Sequence, residues 1–188
     1  QKIAQEKFIS CIKNGYVSNA LEVREVFNLP EAFIQKIAKE RFISCIRDGY
    51  INDALKIKET FSLPSKEIIN SSEAQKAAQE GFISRIKIGL VNDALKIKET
   101  FSLPKEFIQK AAQEGFISCI KNNGLVSNAL EIRETFNLPE AFINSLEAQK
   151  AAQEGFISCI KIGLVDDALK IRETFNLPED FIQKAAQK

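Results

Sequence analysis

The chain contains no histidine, no tryptophan and no methionine. Without histidine there is no His-based catalytic triad, no imidazole metal ligand and no imidazole proton shuttle. No apolar run approaches the roughly 18 residues of a membrane span, so no membrane partner is expected. No signal-peptide pattern opens the chain. An excess of one charge is missing too: 26 Lys and Arg face 25 Asp and Glu, a net charge of +1. Nucleic-acid modules usually show a basic excess. What remains is 188 residues, 45% of them hydrophobic, which is neither disordered nor collagen-like. That length suits one domain or one elongated repeat array.

A repeat fills the chain. The tripeptide FIS recurs at Phe8, Phe42, Phe82, Phe116 and Phe156, at spacings of 34, 40, 34 and 40. All 14 Phe fall at three positions of the unit, and all 5 Pro fall at one. Five of the 8 Gly share one turn (Gly15, Gly49, Gly89, Gly124 and Gly163), and the other three precede FIS (Gly81, Gly115 and Gly155). The units are 1–34, 35–74, 75–108, 109–148 and 149–182, with a partial unit at 183–188. The pattern stops mid-unit at both ends, and the expectation is a piece of a longer array, because a solenoid needs polar caps.

Each unit reads as a helical hairpin. In the third copy Ala78, Phe82, Arg85 and Ile86 share one arc of a helical wheel, and Lys76, Glu80, Ser84 and Lys87 share the opposite arc. This first helix, A, ends at Gly89. The second helix, B, starts near Val91, with Asn92 or Asp93 in its first turn. Leu103-Pro104 ends it, and the proline opens the next helix A. Nothing shows a period of two, so no strand is predicted. Two copies carry an insert, Asn70–Ala74 or Asn144–Ala148. About five extra residues would turn a continuous helix by roughly 140° net, which predicts a break: a short helical turn, an Asn or Ser cap, and a fresh helix A. Asn144 and Glu147 have capping-box spacing.

The run Ile160-Lys161-Ile162-Gly163-Leu164-Val165-Asp166-Asp167-Ala168-Leu169-Lys170-Ile171 resembles the turn and second helix of tetratricopeptide and pentatricopeptide repeats. Those families share a glycine followed five residues later by Ala and then Leu, and all five copies have it. The resemblance implies an all-α, right-handed superhelical solenoid of about five hairpins, with the A helices lining a concave groove. Pentatricopeptide repeats bind single-stranded RNA through a first-helix position that is usually Asn, Ser or Thr. The matching positions here are glutamates, which would repel a phosphate backbone.

By that analogy the groove stripe is Glu6, Ser10 and Lys13, then Glu40, Ser44 and Arg47, then Glu80, Ser84 and Lys87. It continues with Glu114, Ser118 and Lys121, then Glu154, Ser158 and Lys161. One reading is a solvated face of spaced opposite charges. The other is a groove for an extended ligand. Five near-identical stripes can read only a periodic or uniform ligand, such as a homopolymeric strand, a repetitive peptide, a helical partner or another copy of the chain. On helix B, Arg24 falls inside the apolar arc of Val17, Ala20, Leu21, Val23 and Phe27, with Lys58, Lys98, Arg133 and Arg172 equivalent to it. A buried lone cation is costly, so each is expected to pair or snorkel, for instance in an inter-helix ion pair with a repeat Glu such as the Glu6 or the Glu25 series; the alternative is a cationic ladder lining the groove.

Cys11, Cys45, Cys119 and Cys159 share one repeat position, which Arg85 fills in the remaining copy. Stacked equivalents lie too far apart for a disulfide. Buried free thiols in a reducing, cytoplasmic compartment are expected. Gly81, Gly115 and Gly155 stand where Lys7 and Arg41 stand in the first two copies. A position that accepts both types is expected to be loosely packed, as a groove edge or as drift. No phosphate-cradling loop, activated nucleophile or metal cluster is present, so no cofactor and no catalysis are expected. Protein or peptide binding is the leading functional reading. The alternatives are single-stranded nucleic-acid binding and self-association into a structural array.

Overall fold

Four of the A helices meet the same stop signal among the described residues. Gly15, Gly49, Gly89 and Gly163 adopt φ of 76–79°, a region closed to most L-residues. There the chain leaves helix A and makes the 6→1 bond of a Schellman motif, as in Tyr50 N–H to the Cys45 carbonyl at 2.7 Å. The computed structural model describes residues 1–122 and 125–186, with side chains omitted at 184 and 186, so the turn glycine Gly124 lies outside the described residues.

The chain is all-α, and no strand occurs among the described residues. The first hairpin is α1 (Lys2–Lys13) and α2 (Val17–Phe27), and the second is α3 (Glu31–Arg47) and α4 (Ile51–Thr60). Then come α5 (Ser65–Ile69), α6 (Ser72–Lys87) and α7 (Val91–Phe101). The fourth unit supplies α8 (Lys105–Lys121) and α9 (Val126–Thr135), followed by α10 (Glu140–Ile143), α11 (Leu146–Lys161), α12 (Val165–Phe175) and α13 (Glu179–Ala186). Residues group into two compact units: Gln1–Phe82 with Leu95–Leu103, and Ile83–Ala94 with Pro104–Lys188. In each unit the helices pack as neighbouring pairs, α1 on α2 and α3 on α4 in the first, α8 on α9 and α11 on α12 in the second.

The end of helix B holds a signal that the proline masked. Asn28, Ser62, Ser102, Asn137 and Asn176 all take the left-handed conformation, with φ of 44–50°. The leucine after each then donates its N–H back to the cation-bearing residue of helix B, as in Leu63 to the Lys58 carbonyl at 2.9 Å. Proline stands at the N-cap of the following helix rather than inside it, as at Pro30 and Pro104. A side-chain clamp closes the same corner. Gln35 Nε2 donates to the Phe61 carbonyl at 2.7 Å, and Gln109 Nε2 to the Phe136 carbonyl at 2.7 Å. These carbonyls lie at a helix terminus, where no intrahelical donor reaches them.

Phenylalanines join one hairpin to the next. Phe8 packs on Phe33 and on Phe61, both with centroids 5.9 Å apart. Phe116 packs on Phe142 and on Phe175, both at 5.8 Å. A fully buried Phe contributes about 1.5–3 kcal/mol, so these rings dominate the seam. The missing member is Glu67, which stands three residues after Pro64, where Phe33, Phe107, Phe142 and Phe181 follow the other prolines.

Both inserts break the helix as expected. The cap is the serine: Ser71 Oγ accepts from Ala74 N–H at 3.2 Å, and Ser145 Oγ from Ala148 N–H at 3.3 Å. Asn144 instead closes the short α10, so the capping box read from Asn144 and Glu147 does not form. Restarting the helix lets Ile68 and Ile143 turn inward, where both are buried. Among the described residues no helix is long and apolar enough to cross a membrane.

Candidate functional site

The stripe residues lie on the A helices at helical spacing, and the charged members are exposed. Their charges close on one another from helix to helix. In the first unit Arg47 Nε at the end of α3 sits 3.2 Å from Glu80 of α6. In the second unit Lys87 reaches Glu114 at 3.6 Å, and Lys121 reaches Glu154 at 3.0 Å. The serines are partly engaged as well. Ser118 Oγ donates to the Lys87 carbonyl at 3.1 Å, and Ser44 Oγ to Asp48 at 3.4 Å. With side chains close to half exposed, each pair stabilises by well under about 1 kcal/mol. Their larger consequence is electrostatic: three of the five stripe cations are neutralised by a carboxylate of the next A helix. No ion pair ties Lys13 to Glu40, the residues equivalent to Arg47 and Glu80.

The tightest feature on these helices is the glycine before FIS. A Cβ on Gly81 would run into the Ile46 carbonyl oxygen of α3, and one on Gly155 into the Ile120 carbonyl oxygen of α8. A Cβ on Gly115 would meet the Ile86 side chain of α6. All three glycines are buried. This corrects the expectation of loose packing: the position is where one A helix lies against the backbone of the one before it. Lys7 has no preceding A helix and is exposed. Arg41 lies between α1 and α3 and is only half-buried, with a cavity of about 220 Å³ beside it.

Three of the five helix-B cations form the expected inter-helix ion pair with a repeat glutamate. Arg24 bonds Glu31 at 3.1 Å, Arg133 bonds Glu140 at 2.7 Å, and Arg172 bonds Glu179 at 2.9 Å. The partner is the residue after proline, seven positions on, not the Glu6 or Glu25 series. Nor are the cations buried; Arg172 is exposed, and the other four are half-buried. The partner differs because the left-handed cap swings the chain back across the end of helix B, bringing the next helix start within reach. A signal for this was present in the repeats. Where Glu follows proline the cation is Arg, whose planar fork suits a carboxylate. Where Ser65 or Lys105 follows, the cation is Lys58 or Lys98.

The four cysteines are buried free thiols, as read from the sequence. Burial pushes the Cys119 thiol from its ordinary 9.0 up to about 11. Cys45 is also raised by burial, against the lowering effect of the Arg41 guanidinium beside it. These are inert thiols, not nucleophiles. Among the described residues no three of Cys, Asp and Glu converge to hold a metal ion. Compared with known proteins, the chain matches no family model, no curated protein and no solved structure.

Proposed function

We propose that the chain is a non-catalytic scaffold of tetratricopeptide and pentatricopeptide type, a superhelical array that binds a protein or an extended peptide across its A-helix faces. The observation that carries this reading is the charge-matched stripe, with Arg47–Glu80, Lys87–Glu114 and Lys121–Glu154 pairing across successive A helices. A polyanion binds by releasing counterions to unpaired cations, and here three of the five stripe cations already face a carboxylate. A peptide offers amides and side chains of both signs, which suit a stripe of alternating charge and hydroxyl. The three arginines of the Arg24 series, engaged with Glu31, Glu140 and Glu179, count against a free cationic ladder in the same way.

Fluorescence anisotropy with poly(U), poly(A) and a mixed RNA at two salt concentrations tests this against the nucleic-acid alternative. No binding at low salt is the expected result. Micromolar binding that weakens steeply with salt would overturn it and make the Arg24 series the contact row.

Self-association is the second reading, and a separate observation favours it. Val165 is 54% exposed although its counterpart Val126 is fully buried, and Phe27 is 56% exposed although its counterpart Phe61 is 1% exposed. Light scattering across a concentration series tests it, with a concentration-independent mass excluding stacking of copies.

A further inference from the structure

Around α5 the chain departs from its own repeat at two positions, and both line one cavity. Three residues after proline the other units carry Phe33, Phe107, Phe142 and Phe181, whereas Glu67 stands here. Three residues before FIS the other copies carry Gln5, Gln79, Gln113 and Gln153, whereas α3 carries Lys39. In the fourth unit the ring of Phe142 packs on Phe116 at 5.8 Å and stands beside Lys110 and Gln113. The equivalents of those two residues are Lys36 and Lys39. With no ring beside them, a cavity of about 390 Å³ stands open, walled by Leu63, Pro64 and Ile68 and flanked by Lys36, Lys39 and Glu67. Gln35 lines it too, but its amide is engaged with Glu31 and the Phe61 carbonyl. The two altered positions bring in opposite charges that do not close on one another. Among the described residues no ion pair engages Lys36, Lys39 or Glu67, and all three are exposed.

We propose that this cavity binds a free aromatic amino acid, its ring against Leu63, Pro64 and Ile68, its carboxylate on Lys36 and Lys39, and its ammonium on Glu67. The site goes beyond the peptide-binding reading and does not depend on it. Ligand pockets run from about 300 to 1,000 Å³, and a cavity at the low end of that range suits a single amino acid. The sibling corners supply the template for the ring, since each fills the equivalent position with a phenylalanine. Lys36 and Lys39 are three residues apart and share one face of α3, so one carboxylate can meet both. Glu67 faces the same space from α5 and carries the opposite sign. A zwitterion satisfies both signs at once through charge-assisted contacts. An aromatic acid would leave Glu67 unmatched, and an aromatic amine would leave the two lysines unmatched. A residue within a peptide has neither free terminus to offer.

The chain lacks tryptophan, so the emission of added L-tryptophan, excited beyond the tyrosine band, reports on the ligand alone. Titrating the full chain into L-tryptophan should shift that emission to shorter wavelength, with half-saturation below about 1 mM, and L-phenylalanine should reverse the shift. Three analogues should each compete at least about fivefold less well than L-phenylalanine, as expected for charge contacts at an exposed rim. They are 3-phenylpropanoate, which lacks the ammonium, phenethylamine, which lacks the carboxylate, and N-acetyl-L-tryptophanamide, which lacks both charges. Lys39→Gln restores the sibling residue and should weaken L-tryptophan about fivefold. Glu67→Gln should remove the preference for L-phenylalanine over 3-phenylpropanoate. Glu67→Phe refills the space and should abolish the shift while raising Tm. No shift with the unaltered chain, analogues that compete as well as L-phenylalanine, or binding that survives Glu67→Phe would each overturn the site. The analogue comparison uses the unaltered chain and decides the matter even where a variant fails to fold. Equal binding of N-acetyl-L-tryptophanamide would overturn the amino-acid site in favour of a partner's aromatic side chain. The scaffold reading stands or falls separately, on the RNA anisotropy.

Discussion

The junction of α8 with α11 and the junction of α1 with α3 are written in the same repeat and packed differently. In the first, Gly155 lies against the Ile120 carbonyl and Lys121 holds Glu154 at 3.0 Å. In the second, Arg41 takes the glycine's place, its Nε is buried without a partner, and a cavity of about 220 Å³ stands open. The difference teaches that this position governs how closely one A helix can lie on the next, since a Cβ on Gly155 would meet the Ile120 carbonyl. A glycine inside a helix costs about 1 kcal/mol in propensity, and close backbone contact is what offsets that cost here.

The most severe way to break the comparison is to write the open junction into the closed one. Gly155→Arg is expected to lose about 3 kcal/mol of stability, since inserted atoms at a tight contact force backbone shifts. Urea denaturation measures it, and a change under about 0.5 kcal/mol would mean that the contact is not tight. Gly155→Ala is the sharper version, because two effects oppose in sign. Propensity alone predicts a gain of about 1 kcal/mol, whereas the clash with Ile120 predicts a net loss of about 2 kcal/mol, and the sign of the shift in the urea midpoint decides.

The thiols report on the same contrast. Cys119 is raised from 9.0 to about 11 by burial alone. Below pH 9 both folded and unfolded forms keep the proton. Between about pH 9 and 11 the unfolded chain releases it while the folded chain holds it, so stability falls with rising pH, by something on the order of 2 kcal/mol in full. Cys119→Ser should flatten that slope in denaturation curves taken across the window. Arg41 opposes the rise at Cys45, so Arg41→Gln should slow alkylation of Cys45 and leave that of Cys119 unchanged, as peptide mass spectrometry can follow.

Smaller effects refine the picture. Glu67→Phe restores the aromatic that its four siblings carry and should gain about 1 kcal/mol if it reaches Phe42 as Phe142 reaches Phe116, measured as a rise in Tm. The ion pairs come last. A double-mutant cycle on Lys121 and Glu154 should show coupling of about 0.3 kcal/mol, and the same cycle on Lys13 and Glu40 should show none.

Much of this was readable in advance, for reasons that are local. The hairpins, the turn glycines, the helix breaks at both inserts and the buried cysteines all follow from periodicity, propensity and polarity within a few residues. The stripe was legible as a set of equivalent positions, because helical spacing puts Glu6, Ser10 and Lys13 on one face. Its pairing was not, since Arg47 and Glu80 lie 33 positions apart. The Arg24 series was misread for a related reason. A helical wheel describes a helix in isolation, and Glu31 comes within reach only after the left-handed Asn28 turns the chain back.

The sequence by itself determined an all-helical chain of repeated hairpins and the face on which each side chain would lie. Those properties depend on φ, ψ and the 3.6-residue period, which act over one or two turns. Only the tertiary structure decided that Gly155 is a close contact and that Arg41 stands beside a cavity. Gly155 and Arg41 occupy the same repeat position and tolerate the same local conformation. What separates them is the distance to a neighbouring helix, set by packing over tens of residues, and no window along the chain contains it.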